Sequence, residues 1–287
     1  QMDLDININP NQQQPLPGTE QKMDPIPIHD NPEYIGSGKL KDKVAIITGA
    51  DSGIGKAVAI AFAKEGAKIV AAYLNEDEDA QDTKAQIEKY NGQCILVKGD
   101  LSISKMSESI INQTIEKFGK LDILVNHAGE QYQTNSLQDV TDESLGDIFK
   151  VNVFSMFYLT REALKHMKKG AAIINTVSVV AYKGNPMLLD YSSTKGANLA
   201  FTRALAASLA SKGIRVNAVA PGPIWTPLIP ASFSQDKLKE FGKDTPMGRM
   251  GQPFELAPAY VYLASEIDSS YVTGQVLHVN GGTPVNS

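Results

Sequence analysis

The sequence is poor in the residues that build disulfides, metal sites and polyanion-binding surfaces. It has one cysteine and four histidines among 287 residues, and its net charge is −5. A lone Cys94 excludes an intrachain disulfide, and its place in the apolar run Cys94-Ile95-Leu96-Val97 indicates packing and not a nucleophile. Scattered basic residues give no electrostatic footprint for nucleic acid. We therefore predict no metal site and no nucleic-acid partner.

Long apolar runs are also missing. No uninterrupted stretch approaches the ~20 apolar residues that span a bilayer. The N-terminal residues lack the basic-then-apolar pattern of a signal peptide. We therefore expect a cytoplasmic protein with no membrane partner. With 42% hydrophobic and 21% charged residues, the composition is that of a globular chain that buries a substantial core.

Residues 1–39 differ from the rest because they are rich in Gln, Asn and Asp and contain six prolines: Pro10, Pro15, Pro17, Pro25, Pro27 and Pro32. Such a segment forms neither a regular helix nor a core of its own. It is either a flexible tail or an extended arm on the folded body or on a neighbouring subunit. The runs Pro25-Ile26-Pro27-Ile28 and Tyr34-Ile35 offer apolar side chains for docking and favour the arm.

From Leu40 onward, strand-like runs alternate with helical stretches such as 55–66 and 76–90. The predicted strands cover residues 44–47, 68–73, 95–97, 123–125, 172–176, 215–219 and 276–279. Strands that alternate with crossover helices form a parallel sheet with both faces covered. No linker interrupts residues 40–287. The sequence therefore predicts an α/β fold, with one doubly wound domain on a seven-stranded parallel sheet, preceded by an extended or partly disordered N-terminal arm.

A glycine-rich turn follows the first strand and reads Thr48-Gly49-Ala50-Asp51-Ser52-Gly53-Ile54-Gly55. An open α/β sheet binds a dinucleotide at this place, because glycines let the backbone approach the pyrophosphate. The N-terminus of the next helix then offers unpaired N–H groups to the phosphates. A glycine-rich turn alone is a weak signal, and its spacing departs from the commoner G-x-G-x-x-G pattern.

From about Leu40 to Gly282 the chain resembles the short-chain dehydrogenases/reductases, a Rossmann-type family whose turn reads T-G-x-x-x-G-x-G. Three more segments match in order: Asp100-Leu101, Asn126-His127-Ala128-Gly129 and Pro221-Gly222-Pro223-Ile224-Trp225-Thr226. The resemblance implies NAD or NADP, contacted by Gly49, Asp51, Ser52, Gly53, Ile54, Gly55, Tyr73, Asp100, Leu101, Asn126, Ala128, Gly129, Tyr191, Lys195, Pro221, Gly222, Ile224 and Thr226. His127 departs from the family's usual residue, and we expect it to pack.

The residues near the end of the second strand leave the choice between NAD and NADP open. An acidic residue there would select NAD by binding the ribose 2′-OH, but Tyr73 occupies the position. Ser52 fills the place where NADP enzymes of the family often carry a basic residue. Glu76 and Asp77 would repel a 2′-phosphate only if they folded inward. We expect loose selectivity.

Tyr191 and Lys195 are four residues apart in a helical run through Leu209, so they share one helix face. An ammonium beside a phenol lowers the phenol's pKa, and the tyrosine can then act as general acid or base. Alone, this spacing is typical of a solvated helix surface. The resemblance adds Ser178 as the substrate-facing serine and Asn152 as the helix asparagine whose main chain holds a water of the proton relay.

Together these residues predict an NAD(P)-dependent oxidoreductase that interconverts a carbonyl and an alcohol by hydride transfer. The catalytic set is Asn152, Ser178, Tyr191 and Lys195. The alternative is a non-catalytic dinucleotide-binding redox sensor. Such a sensor would be free to lose this set, and all four residues are present.

Segments 179–190 and 226–252 should border the substrate, with Tyr182, Met187, Leu188, Trp225, Leu228, Ile229 and Phe233. They predict a moderately apolar pocket under a mobile lid, although these side chains would equally suit internal packing. Small aldehydes, ketones and polyols all fit as substrates. The proline-rich arm resembles a bacterial subgroup described as stress-related or glucose/ribitol dehydrogenase-like, which implies a homotetramer, with a dimer as the alternative.

Overall fold

Seven short apolar runs form the strands of one sheet in the computed structural model, and several of these runs are rich in Val and Ile. The structure describes residue 4 and residues 6–285. Residues 1–3 and 5 of the predicted arm, and residues 286 and 287, lie outside the described residues. The strands are β1 Val44–Thr48, β2 Lys68–Tyr73, β3 Cys94–Lys98, β4 Ile123–Asn126, β5 Ala172–Thr176, β6 Arg215–Pro221 and β7 Val276–Val279. Each predicted strand is found, with ends shifted by two residues or fewer.

The sheet is parallel throughout and has the order β3-β2-β1-β4-β5-β6-β7. The strand order reverses between β1 and β4, so the loops after these two strands separate and leave a crevice. In open α/β sheets ligands bind in such a crevice, outside the carboxyl ends of the strands. The predicted fold class is confirmed.

Helices cover both faces of the sheet. They are α1 Gly53–Lys64, α2 Asp77–Lys89, α3 Ser104–Phe118, α4 Asp142–Phe149, α5 Ser155–Ala163, α6 Val180–Lys183, α7 Leu189–Leu209, α8 Leu228–Ser232, α9 Gln235–Lys239, α10 Pro253–Ala264 and α11 Glu266–Ser269. One apolar core lies between the sheet and helices α1 and α10, and a second lies on the opposite face. Within the described residues, no helix has the length and apolar character that crossing a membrane requires.

Several helical segments differ locally from the sequence prediction. α1 covers Gly53–Lys64 and not 55–66, and α2 covers Asp77–Lys89 and not 76–90. The helix of Tyr191 begins two residues earlier, at Leu189. Asn152, expected in a regular helix, lies in a π-helical turn, Lys150–Phe154, between α4 and α5. Such a turn widens the helix by one residue and changes the direction of its carbonyl groups, and it occurs often at functional sites.

The N-terminal arm lies against the loops that follow β6. Trp225 is fully buried, and its Nε1–H donates to the Pro25 carbonyl at 2.7 Å. Met23 packs beside it in a small apolar cluster, to which Ile6 and Ile8 also contribute. The side chains expected to dock include Ile26 and Ile35, but these are 62% and 85% exposed. Other members of the two expected runs do dock, because Pro27 is buried and Tyr34 packs against the apolar core beside α1. The arm is therefore held by part of the expected residues together with Met23, Ile6 and Ile8.

Candidate active site

A cleft of about 600 Å³ opens at the carboxyl ends of β1, β4, β5 and β6. The cleft is lined by residues from the glycine-rich turn, from the loops after β2, β3 and β4, and from helix α7. This is the crevice that the strand order creates, so the topology brings segments more than 170 residues apart to one place.

The glycine-rich turn is too tight for side chains. A Cβ on Gly55 would lie 2.0 Å from the Gly49 carbonyl oxygen, and Gly49 and Gly53 have φ angles of +63° and +52°. The Thr48 hydroxyl accepts hydrogen bonds from the backbone N–H groups of His127 and Ala128 at 2.9 and 3.0 Å. These bonds connect the start of the turn to the loop after β4. The backbone is thus open to the cleft at the start of α1, which fits a dinucleotide pyrophosphate.

Most of the predicted cofactor residues line this cleft: Gly49, Asp51, Ser52, Gly53, Ile54, Tyr73, Asp100, Leu101, Ala128, Gly129, Tyr191, Lys195, Pro221, Gly222, Ile224 and Thr226. The two other predicted residues, Gly55 and Asn126, are not among the residues that line the cleft. The Asn126 side chain donates to Thr160 Oγ1 and Asn175 Oδ1, at 3.1 and 2.9 Å. These bonds tie β4 to β5 and α5, so the side chain serves the scaffold.

The end of the cleft near β2 is acidic. Asp51 and Glu76 both line it. Burial, and to a smaller extent the charge of Glu76, raises the pKa of Asp51 to about 7. The Tyr73 hydroxyl donates to Asp77 Oδ1 at 2.8 Å, so it is held toward α2. The electrostatics at this end therefore change with pH near neutrality.

Tyr191, Lys195 and Ser178 meet at the carboxyl end of β5. Lys195 Nζ lies 5.5 Å from the centre of the Tyr191 ring and donates to the Thr176 carbonyl at 3.2 Å. Burial raises the pKa of Tyr191 to about 12. A hydrogen bond from Ser178 lowers this pKa, but its effect is smaller than that of burial. Burial lowers the pKa of Lys195 to about 8. Burial thus favours the neutral form of both groups.

Asn152 stands behind this group, outside the cleft lining. Its side chain clamps Glu130, accepting from the N–H and donating to the carbonyl, both at 2.8 Å. Its own carbonyl accepts from Asn198 Nδ2 at 2.9 Å. A Cβ on Gly129 would lie 3.3 Å from Asn152 Oδ1 and 3.5 Å from Lys195 Nζ. The loop after β4 therefore passes against both predicted catalytic residues.

Only some of the residues predicted to border the substrate line the cleft. Its lining includes Met187, Leu188, Leu228, Ile229 and Phe233, as expected. Trp225 and Tyr182 do not line it. The Trp225 ring is enclosed by the arm, and the Tyr182 ring packs against His278 with ring centres 4.8 Å apart. For these two residues internal packing is the correct interpretation.

Sequence reasoning missed several lining residues. Glu130, Gln131 and Gln133 in the loop after β4 add polar groups to the cleft. Gln131 is 4% exposed, and its Nε2 has no hydrogen-bond partner among the described residues. Leu16 and Pro17 of the arm also line the cleft. Glu130 and Gln131 directly follow Gly129 of the matched segment, so the sequence offered a signal that this loop borders the cleft. Nothing in the sequence of the arm indicates that Leu16 and Pro17 line it.

His127 illustrates a departure from the family that the fold accommodates. Its Nδ1 lies 3.0 Å from Thr176 Oγ1, which in turn is 2.6 Å from the Tyr260 hydroxyl. Burial, and then the charge of Lys195, lowers the pKa of His127 to about 3. The ring is therefore neutral at physiological pH, and its contacts agree with the expected packing role.

Comparison with known proteins places the chain in a family. The family described as Enoyl-(Acyl carrier protein) reductase matches residues 49–284. NADPH-dependent aldehyde reductase 1, chloroplastic, of Arabidopsis thaliana is 50% identical, covering 94% of this chain and 96% of the relative. Glucose and ribitol dehydrogenase of Daucus carota is 49% identical, covering 96% and 97%. A short chain dehydrogenase from Burkholderia cenocepacia in complex with NADP has a TM-score of 0.80 at 28% identity, covering 85% and 98%.

The chain therefore belongs to the short-chain dehydrogenase/reductase family. The predicted family and the predicted enzyme class, NAD(P)-dependent oxidoreductases acting on alcohol or carbonyl groups, are confirmed. The Arabidopsis thaliana relative is NADPH-dependent, and the Burkholderia cenocepacia enzyme was solved in complex with NADP. The roles of the individual site residues, the domain boundary at residue 39 and the oligomeric state stay predictions.

Proposed function

We propose that the chain interconverts a carbonyl and an alcohol group of a small molecule, with Tyr191 as general acid and base and with NAD or NADP as the hydride carrier. One observation carries the proposal. The phenol of Tyr191, the hydroxyl of Ser178 and the ammonium of Lys195 converge in the cleft that begins at the glycine-rich turn. When bound, the nicotinamide supplies or accepts the hydride.

Tyr191 moves the proton. In reduction its hydroxyl donates to the substrate oxygen, and in oxidation its phenolate accepts the proton from the alcohol. The phenol of Tyr191 keeps its proton at neutral pH, and the acid role in reduction needs this protonated form. For the base role the ammonium of Lys195 must lower the phenol's pKa, and its position above the ring supports this effect.

Ser178 and Asn152 complete the arrangement. The Ser178 hydroxyl lies at the cleft wall, is 8% exposed and hydrogen-bonds to Tyr191, so it can also hold the substrate oxygen. The Asn152 carbonyl accepts one hydrogen bond from Asn198, and a carbonyl oxygen has a second lone pair. We place a water of the proton relay on that lone pair, from which it reaches toward Lys195.

The substrate class is a small aldehyde, ketone or polyol. The mixed lining supports it, because Met187, Leu228 and Phe233 are apolar while Glu130 and Gln131 offer hydrogen bonds to hydroxyl groups. The named relatives include an aldehyde reductase and a glucose and ribitol dehydrogenase. These two relatives are named for different substrates, so the substrate preference of this chain must be measured directly.

A substrate panel tests the proposed function. Aldehydes, ketones and sugar alcohols are assayed by nicotinamide absorbance with both NAD(H) and NADP(H), and cofactor binding is measured separately by calorimetry. We expect turnover of at least one class and a preference below about 100-fold for either cofactor. Tight cofactor binding without turnover of any panel member would instead support the redox sensor.

A further inference from the structure

The N-terminal arm brings a buried carboxylate to the first turn of α1. Glu20 is 3% exposed, and its Oε1 accepts the Gly53 N–H at 2.6 Å. Its Oε2 accepts from Lys56 Nζ at 2.7 Å, and its own N–H donates to Asp79 at 3.0 Å. Glu20 lies 33 residues before Gly53, so these bonds fasten the arm to the glycine-rich turn.

The same stretch of the arm forms part of the cleft. Leu16 and Pro17 line it, and the Gln14 N–H donates to the Pro230 carbonyl at 3.2 Å. Gly18 passes so close to the loop after β6 that a Cβ there would lie 2.7 Å from the Pro227 carbonyl oxygen. Residues 14–20 therefore bridge the first turn of α1 and the loop that borders the substrate.

The contact with Gly53 determines which groups remain for the cofactor. The first N–H groups of a helix have no partner within the helix, and they are the groups that bind phosphate. Glu20 occupies the N–H of Gly53 and fixes the peptide between Ser52 and Gly53. Ser52 and Ile54, on either side, line the cleft. Glu20 thus holds the Gly53 peptide in place, while its neighbours Ser52 and Ile54 remain at the cleft, where the phosphates would bind.

The charge of Glu20 is partly compensated by Lys56. The Lys56 ammonium is buried and also contacts Asp82 at 2.6 Å. His29 contributes a further hydrogen bond to the carboxylate. A buried charge with such partners is costly to disturb, so the position of Glu20 is well defined.

We propose that Glu20 is a positioning residue of the dinucleotide site and that the arm is a working part of that site. The inference rests on the proposed function, since it concerns the cofactor of that reaction. It predicts that the arm and the cofactor stabilise each other. Any factor by which the arm tightens cofactor binding must equal the factor by which bound cofactor holds the arm in place.

The test compares two full-length variants with the wild type. In Glu20→Ala we expect the dissociation constants for NAD and NADP, measured by calorimetry, to rise about tenfold. The loss should appear in KM for the cofactor more than in kcat. Glu33→Ala changes an exposed carboxylate of the same arm and should bind both cofactors as the wild type does. A Glu20→Ala chain that keeps wild-type affinity, even with a lower melting temperature, would overturn the inference.

A second measurement on the wild type holds even if Glu20→Ala fails to fold. Amide hydrogen exchange of residues 14–25 is followed with and without saturating cofactor. We expect exchange in this stretch to slow about tenfold when the cofactor binds. Unchanged exchange would also overturn the inference. A wild type that binds neither NAD nor NADP would instead refute the proposed function, so the two failures are distinguishable.

Discussion

At the residue scale, the environment of Tyr191 and Lys195 has opposing effects on the pKa of the tyrosine. Burial raises the pKa of the phenol to about 12 and lowers that of the ammonium to about 8. The hydrogen bond from Ser178 lowers the tyrosine's pKa, and a charged Lys195 favours the phenolate. On the proposed mechanism, the protonated phenol is the form that reduction needs, whereas oxidation requires these stabilising charges. The sequence identified the residues and their helical spacing, but it carried no information on how deeply they are buried.

His127 makes the stability of the protein depend on acid pH. Its pKa falls from an ordinary 6.5 to about 3 in the folded chain, so the unfolded chain binds the proton more readily between these values. The stability from this group is therefore present above pH 6.5 and is lost as the pH falls toward 3. The loss from this group at pH 4 is about 3 kcal/mol, and we expect His127→Asn to abolish it. Urea unfolding at pH 4 and pH 7 measures it, and equal pH dependence in both chains would contradict the assignment.

At the scale of elements, the glycine-rich turn and α1 form one unit. The turn approaches itself so closely that a Cβ on Gly55 would meet the Gly49 backbone, which no side-chain movement relieves. We expect Gly55→Ala to lower the free energy of unfolding by about 3 kcal/mol and to weaken cofactor binding strongly. Denaturant unfolding and calorimetry measure the two effects.

Gly146→Ala is the matched control for that change. Gly146 lies in α4, and a Cβ there would meet no atom of the described residues within 4 Å. Alanine favours a helix more than glycine does, so the stability should stay equal or rise by up to about 1 kcal/mol. If both variants lose similar stability, the close approach at Gly55 is not the cause.

The elements themselves were largely predictable, and the exceptions have physical reasons. β2 and β5 have the predicted ends, because buried parallel strands appear as largely apolar runs. β7 also has its predicted ends, although none of its residues is fully buried. The π-helical turn at Asn152 was not predictable, since its residues carry an ordinary helical pattern. The sequence favoured a docked arm but did not identify Met23 and Glu20 as its anchors, because the residues that hold them are distant in sequence.

At the scale of the whole molecule, aromatic side chains remain exposed on the helices next to the site. Phe157 on α5 is 48% exposed, and its ring lies 4.2 Å from that of Phe201 on α7. Phe154 nearby is 43% exposed. A neighbouring subunit would bury such a patch, and the homotetramer implied by the family resemblance would provide one.

Phe157→Glu tests this assembly. A charge within a buried apolar patch opposes association, so the variant should run as a smaller species than the wild type in size-exclusion chromatography with light scattering. The wild type should have about four times the chain mass of 31.0 kDa. Ile103→Glu, at a position 57% exposed before α3, should leave the mass unchanged. A monomeric wild type would contradict the prediction.

The central claim is that Tyr191 moves the proton while the rest of the cleft holds the cofactor. The most direct measurement is Tyr191→Phe, with kcat/KM determined on the best substrate of the panel and cofactor affinity determined by calorimetry. Removal of the hydroxyl removes the acid and base but leaves the ring packed, so we expect kcat/KM to fall by about 10³-fold or more while cofactor affinity stays within about threefold. A variant that retains a tenth of the wild-type activity would contradict the account.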